Sequence, residues 1–418
     1  MPDFKTPTGT FDVLPPVSAR YEALLARFAS LAGRAGYGLV LTPLFEDVAV
    51  FRRVGESTDI VRKELYEFED RGGRRLALRP EGTAGVVRAY VEHRPPTPFK
   101  VWYAGPYFRY ERPQAGRYRQ HHQLGVEALG SEDPDLDVEV VALAAGLYAD
   151  LGLRRVRLRL TSLGDAACRP AYRKELQAFL EERRDQLCDD HRGRIAENPL
   201  RVLDCKRPEC REAVADAPRM LDRLCDACQA HFDRVRTGLG ALGVGFELDP
   251  SLVRGLDYYT RTTFEFDADA LGAAQSGAGG GGRYAGLVES LGGPPTPGIG
   301  FGLGIERILL ACDAEGVFAL PEPGPDVFVV DLTGGGAARD LSHELRAAGL
   351  RADRAYDARS LRAQLKAADR SGARLALIVG PDEAAAGLVT VRDLRHDGGQ
   401  ESVERGHVVE HLVKRAGG

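Results

Sequence analysis

With 418 residues, 44% hydrophobic content and a formal charge of −5, the chain is long enough for about three packed domains and too acidic overall for a non-specific polyanion binder. No apolar run reaches the roughly 18 residues of a membrane helix, and the start MPDFKTPTGTFDVLPP has no export signal, so a cytoplasmic location without a membrane partner is expected. Seven cysteines, an odd number without an export signal, argue for reduced thiols over a disulfide framework.

In residues 18–35 the apolar positions Tyr21, Leu24, Leu25, Phe28, Leu31 and Ala32 follow helical spacing, with Ser18 to cap the helix and Gly36 to stop it. A strand over 39–42 follows and ends at Pro43. In LALRPEGTAGVVRAYVE a short strand meets Pro80 and a helix starts near Thr83, a good capping residue. Glu81 thus sits at a strand-to-helix corner, placed either to receive an ammonium group or to compensate a helix dipole.

Residues 108–127, FRYERPQAGRYRQHHQLGVE, predict a hairpin with polar side chains where a plain hairpin carries apolar ones. Tyr107, Arg109 and Glu111 share one face of the outgoing strand, and His121, Gln123 and Glu127 one face of the returning strand, with Leu124 and Val126 opposite. The loop turns at Gly116 and carries Arg112, Arg117 and Arg119, which suits a polyanion, although exposed arginines also occur on any solvated edge hairpin. SEDPDLDVEVVALAAGLYADLG then predicts a helix and VRLRLTSLG a strand.

Residues 165–248 are rich in Arg, Asp, Glu and Cys, show helical stretches over 172–187 and 220–242, and read as an inserted helical module. Cys205-x4-Cys210 followed by Cys225-x2-Cys228 has a spacing that could ligate zinc; the competing reading, buried thiols in a helical segment, carries the expectation of no bound metal. LVRGLDYYTRTTFEF, 252–266, starts with a turn at 254–257 and continues as an aromatic, β-branched strand. GAGGGGRYAGL, 277–287, has a run of four consecutive glycines, Gly279 to Gly282, that permit close approach to a ligand. GIGFGLGIERILLA, 298–311, alternates glycine with apolar residues as a strand and then turns helical at Ile305, Ile308 and Leu309, with Arg307 in the first helical turn. Pro321, Pro323 and Pro325 mark a stiff linker. Beyond it DVFVVDL, residues 342–349, RLALIVG and LVTVRDL alternate strand and helix as a separate α/β domain. Between Arg346 and Arg374 eight basic residues meet only Asp353, Asp357 and Asp369, a surplus suited to RNA phosphates.

Taken in order, these segments resemble motifs 1, 2 and 3 of the class II aminoacyl-tRNA synthetases, and 252–266 and 277–287 resemble the two histidine-specific motifs of the histidyl-tRNA synthetase family. The resemblance covers the whole chain. It implies an α/β architecture with an α+β catalytic core: an antiparallel sheet flanked by helices in residues 1–164 and 249–320, the helical insertion at 165–248, and an anticodon-binding α/β domain at 326–418. It implies that Arg109 and Arg254 act at the α-phosphate of ATP, that Arg117 and Arg307 hold the distal phosphates, and that His121 stacks on adenine where the family usually has phenylalanine. Glu81, Thr83, Gln123, Glu127, Arg254, Tyr258 and Tyr259 become the histidine-binding set. Ala285 stands where the family has aspartate, which leaves Arg283 and Tyr284 without an assigned role. L-histidine, its tRNA, ATP with Mg²⁺ and a homodimer built on motif 1 are the implied partners.

Joining a carboxylate to the α-phosphorus needs no general base, because the carboxylate is already ionised at neutral pH. Positioning and charge stabilisation must carry the catalysis. The alternative is a non-catalytic paralogue that serves as regulatory subunit of ATP phosphoribosyltransferase, whose marks are a missing anticodon domain and eroded motif arginines.

Overall fold

The glycine-apolar alternation of 298–304 sets up the architecture, because a strand of period two places Ile299, Phe301 and Leu303 on one face and bare glycines on the other. All three apolar side chains are buried in the main core. The computed structural model describes residues 4–55, 59–205, 207–253, 258–272, 276–319, 324–357, 359–395 and 399–416. The chain divides into two compact units, residues 1–14 with 21–319 and residues 15–20 with 320–418.

The first unit is built on an eight-stranded sheet. From edge to edge it runs Gly38–Leu39, Phe99–Phe108, Gln120–Leu129, Gly298–Gly304, Gly277–Tyr284, Tyr259–Ala268, Val156–Ser162 and Glu247–Leu248. The six inner strands are antiparallel, and each two-residue edge strand pairs parallel with its neighbour. The strand expected over 39–42 is therefore shorter: only Gly38–Leu39 pairs, and Leu41 is 79% exposed. One face of the sheet packs against the helices Val17–Arg34, Pro134–Asp150 and Ile305–Glu315, through Leu24 and Phe28, Val141 and Leu147, and Ile308. The opposite face carries the helix Thr83–His93, whose Val86 packs with Val101, Tyr103 and Tyr107. A three-stranded sheet, Phe45–Asp47, Arg75–Leu78 and Glu67–Glu69, leads into that helix.

Between the strands Val156–Ser162 and Glu247–Leu248 the chain is helical. Arg169–Glu182 and three helices of four to six residues surround a small core of their own. The helix Asp226–Ala241 instead sends Phe232, Val235 and Leu239 into the core of the main sheet. The second unit has a five-stranded sheet in the order Ala352–Arg354, Val327–Asp331, Leu375–Val379, Leu388–Asp393 and Gln400–Glu404, parallel across the first three strands and antiparallel across the last. The helix expected at 342–349 is longer and begins earlier, as Gly336–Ala347. Residues Pro321 and Pro323 of the expected linker lie outside the described residues.

Arg283, left without a role by its sequence, proves to be a structural anchor. Its guanidinium is buried against Asp137, with Nε 2.9 Å from Oδ1, and it also donates to the carbonyls of Ser131 and Asp133. His231 Nε2 lies 2.8 Å from the other Asp137 oxygen, so one fully buried carboxylate ties strand Gly277–Tyr284 to helices Pro134–Asp150 and Asp226–Ala241. Removing one partner of such a pair strands a buried charge. Asp137→Ala should cost roughly 3–5 kcal/mol, read as a lower urea midpoint for the first unit; an unchanged midpoint would mean that Arg283 finds water there.

Candidate active site

The site assembles where the polar face of the sheet meets the start of helix Thr83–His93. Glu81 is buried at that corner and accepts the backbone N–H groups of Thr83 and Ala84 at 2.7 and 2.8 Å. The cap is thus the Glu81 carboxylate, not the Thr83 hydroxyl that the sequence pointed to. Burial raises the Glu81 pKa above the usual range, against the pull of those two N–H groups and of Arg109. The Thr83 hydroxyl is freed to donate to Glu127 Oε1 at 2.7 Å.

Glu127 has no exposed surface. Besides Thr83, Tyr284 donates to its Oε2 at 2.7 Å and Tyr103 reaches Oε1 at 3.3 Å. Burial pushes Glu127 up to about 8, although the Thr83 and Tyr284 hydroxyls favour its charged form. The paired strand makes room for it: a Cβ on Gly300 would lie 2.0 Å from Glu127 Oε2, and one on Gly298 2.3 Å from the Tyr284 ring. Tyr258 and Tyr259 stack 4.7 Å apart beside this cluster, with Tyr258 edge-on to Tyr284 at 5.7 Å. The Tyr258 hydroxyl is buried and makes no hydrogen bond by geometry, although it lies close enough to Thr83 to be influenced by it. Tyr103 and Tyr284 are the functional residues that the sequence did not assign. Their signal is in the glycines: a Cβ on Gly82 or Gly125 would strike the Tyr103 ring at 2.5 or 2.6 Å.

A cavity of about 210 Å³ opens beside the cluster. It is lined by Arg109, Arg117, His121, Gln123 and Arg307, so four of the five residues expected at ATP meet there. The outgoing strand expected to carry Tyr107, Arg109 and Glu111 on one face is instead Phe99–Phe108: Tyr107 is buried on it, while Arg109 and Glu111 lie past its end, and Arg109 Nε donates to the Pro80 carbonyl at 2.9 Å. Arg307 donates to the carbonyls of Gly116, at 3.0 Å, and Gly277. Burial, followed by the charge of Arg117, lowers its pKa. His121 is held neutral, its pKa pushed down to about 3 by burial and then by Arg109. Glu306, next to Arg307, locks the helix to the hairpin: His122 N donates to its Oε1 at 2.9 Å and His122 Nδ1 lies 2.8 Å from the same oxygen.

Other expected residues fall elsewhere. Of the loop arginines only Arg117 lines the cavity; Arg119 lies over the Tyr110 ring at 3.9 Å and donates to the Glu111 carbonyl. Arg254, with the rest of the turn 254–257, lies outside the described residues. Of the glycines in the glycine-rich strand, Gly277 and Gly279 line the cavity, whereas Gly281 lets the neighbouring strand approach, since a Cβ there would lie 1.9 Å from the Gly300 carbonyl oxygen.

This pairing of a polar cavity with a buried carboxylate cluster has relatives. The family model for histidyl-tRNA synthetase matches residues 9–308, and that for an anticodon binding domain matches residues 326–415. The chain belongs to the histidyl-tRNA synthetase family. It is 53% identical to the histidine–tRNA ligase of Rhodococcus erythropolis over 98% of this chain and 97% of that one, and 54% identical to that of Saccharopolyspora erythraea over 94% of both. Among solved structures, apo Staphylococcus aureus histidyl-tRNA synthetase is 37% identical with a TM-score of 0.83, covering 98% of this chain and 99% of that one. Family membership brings ATP use with it.

The Glu127 titration can be tested by itself. A carboxyl whose pKa rises on folding binds its proton more tightly in the folded state. The stability it contributes is full below the unfolded value of about 4.3 and is lost as pH rises toward the folded value. The melting temperature of the ligand-free protein should therefore fall between about pH 5 and pH 8 relative to Glu127→Gln, which has no proton to lose in that window. Parallel melting curves would place the titration elsewhere.

Proposed function

We propose that the chain joins L-histidine to its tRNA through a histidyl-adenylate made from ATP. The observation that carries this reading is the meeting of Arg109, Arg117, His121 and Arg307 in one cavity, with Arg109 hydrogen-bonded to the carbonyl of Pro80, the residue before Glu81 of the buried cluster. In the first step a histidine carboxylate oxygen bonds to the α-phosphorus of ATP as the bond to the β-phosphate oxygen breaks, releasing pyrophosphate. Arg109, together with Arg254, stabilises charge at the α-phosphate, while Arg117 and Arg307 hold the leaving phosphates. His121, being neutral, stacks on the base without adding a charge. Glu81 takes the ammonium group of the amino acid, Gln123 its near end, and Glu127 and Tyr259 the two ring nitrogens. A ring held by buried hydrogen bonds excludes analogues lacking them by roughly 10⁴-fold, so no editing step is called for.

Glu111 and Glu265 line the same cavity, and their hard oxygen donors facing a polyphosphate fit Mg²⁺. When bound there, the ion supplies charge neutralisation for the phosphates. Transfer follows, with a terminal ribose hydroxyl of the tRNA attacking the acyl carbon and AMP leaving. For the RNA, support comes from a cavity of about 800 Å³ in the second unit, where Arg339, Arg354 and Arg359 surround the half-exposed Tyr356 ring. Charged and aromatic groups together suit unstacked bases and their phosphates. The regulatory-subunit alternative is not favoured, since Arg109 and Arg307 are in place and the anticodon-binding model matches 326–415.

Pyrophosphate exchange into ATP, run with each of the twenty amino acids, should respond to histidine alone, and Arg307→Ala should slow it about a hundredfold. Exchange with another amino acid, or none at all, would defeat the reading. A homodimer is part of the proposal: Leu39 and Leu41 at the end of the motif 1 segment, with Leu44 and Phe45 just after it, form a run of exposed apolar side chains suited to a partner surface. Light scattering should give twice the chain mass of 45.4 kDa; the single-chain mass at micromolar concentration counts against it.

A further inference from the structure

The six cysteines of the insertion are sorted by the fold in a way their spacing does not suggest. Cys205 and Cys210 do not meet Cys225 and Cys228. Instead Cys188, His191, Cys205 and Cys210 form one group and Asp165, Cys168, Cys225 and Cys228 another, each with its ligand atoms within 4.8 Å of one another. All are free thiols. We propose that Cys188, His191, Cys205 and Cys210 bind one structural zinc ion.

Four observations carry the assignment. Three sulfurs and one imidazole nitrogen are a complete tetrahedral donor set, supplied by two short stretches of sequence, Cys188-x2-His191 and Cys205-x4-Cys210. A tetrahedral zinc with ordinary bond lengths holds such atoms about 3.5–3.8 Å apart, so closing on the metal requires movement of about 1 Å at most. Cys188 Sγ and His191 Nδ1 face each other at 3.0 Å, and would move apart by roughly 0.5 Å to share the ion. Cys210 Sγ accepts the backbone N–H of Cys188 at 3.2 Å, an N–H···S bond that suits a metal-bound thiolate.

The surroundings explain why a metal is needed. Helices Asp189–Arg192, Leu200–Leu203 and Pro208–Ala213 have four, four and six residues, too short to hold themselves. Among the described residues their shared core contains fifteen buried side chains, of which five are cysteines, a third of a core small enough to gain from a metal staple. Buried thiols can pack as small hydrophobes, but apolar packing gives no reason for a half-buried imidazole turned ring nitrogen first toward a sulfur. The other group is less suited, because the Asp165 carboxylate is already engaged by Arg261 at 3.2 Å and by the N–H of Ala167 at 2.9 Å. With four protein ligands the site is closed, which makes the ion structural and not catalytic.

Elemental analysis of the full chain, purified from zinc-supplemented medium without chelator, tests this. The expected result is zinc in at least one equivalent per chain, with one equivalent lost in Cys210→Ser and in His191→Ala but retained in Cys228→Ser. Since loss of a cysteine from a small core can unfold it, a second measurement uses the unaltered residues: cobalt-loaded protein should show thiolate-to-cobalt charge transfer and the intense visible bands of a tetrahedral site. His191→Cys, which keeps four ligands, should retain the metal and shift those bands. Folded wild-type protein without zinc, or Cys210→Ser with as much zinc as wild type, overturns the proposal.

Discussion

The first unit is organised around a single carboxylate that is kept out of water. Glu127 is completely buried on the returning hairpin strand, and its two oxygens are satisfied by hydroxyls from three separate elements: Thr83 at a helix start, Tyr103 on the outgoing hairpin strand and Tyr284 at the end of another strand. An isolated charge in such a place is costly, which is why its pKa moves up to about 8. Holding this group requires the three elements to stay in register, so the requirements of a ligand site become requirements of the fold. Glycines at 82, 125, 298 and 300 follow from the same constraint, each leaving the volume that a tyrosine ring or the carboxylate fills.

That constraint also decides which parts are legible in the sequence. Strong periodicity marks the type of most long elements: the helix at 17–34, the hairpin of 99–108 and 120–129, and the glycine strand that turns helical at Ile305 are all legible because one face is apolar and buried. The ATP-side arginines are legible only as a cluster of charge, since strand alternation does not place them: Arg109 and Arg117 lie beyond the end of strand Phe99–Phe108 and Arg307 lies on helix Ile305–Glu315. Tyr103 is not legible, because a tyrosine between apolar residues looks like core; only the glycines packed against its ring mark it, and those contacts come from residues distant in sequence. Arg283 misleads in the opposite direction. It sits in a glycine-rich motif, yet its partner Asp137 is 146 positions away and nothing local predicts it.

The cysteines show the same limit. Sequence spacing groups the nearest pairs, 205 with 210 and 225 with 228, and says nothing about which pairs the fold brings together. The helix Asp226–Ala241, which starts beside Cys225, is drawn toward the main core by Phe232, Val235 and Leu239. That separates its cysteines from Cys205 and Cys210 and places them beside Cys168 instead. Tertiary packing has decided the ligand sets, and spacing alone could not.

A contrast among the arginines of the first unit separates structural from functional charge. Arg283 is held by a carboxylate, Asp137, so its charge is neutralised within the protein and nothing is left for a ligand. Arg109 and Arg307 are held mainly by neutral backbone carbonyls, Pro80 for the first and Gly116 and Gly277 for the second. The nearest carboxylate to Arg109, Glu111, is only at the 4.0 Å limit. A carbonyl fixes a guanidinium in place through a hydrogen bond without cancelling its charge, so the position is set before a polyphosphate arrives and the charge remains available to it. Arg79 shows that the anchoring alone is not sufficient: it too is held by carbonyls, of Thr42 and Pro106, but the Tyr107 ring lies 4.4 Å from its guanidinium and it does not line the cavity. Neutral anchors and an open face together mark an arginine that is preorganised for an anion, the condition under which electrostatic stabilisation of a transition state requires no reorganisation during the reaction.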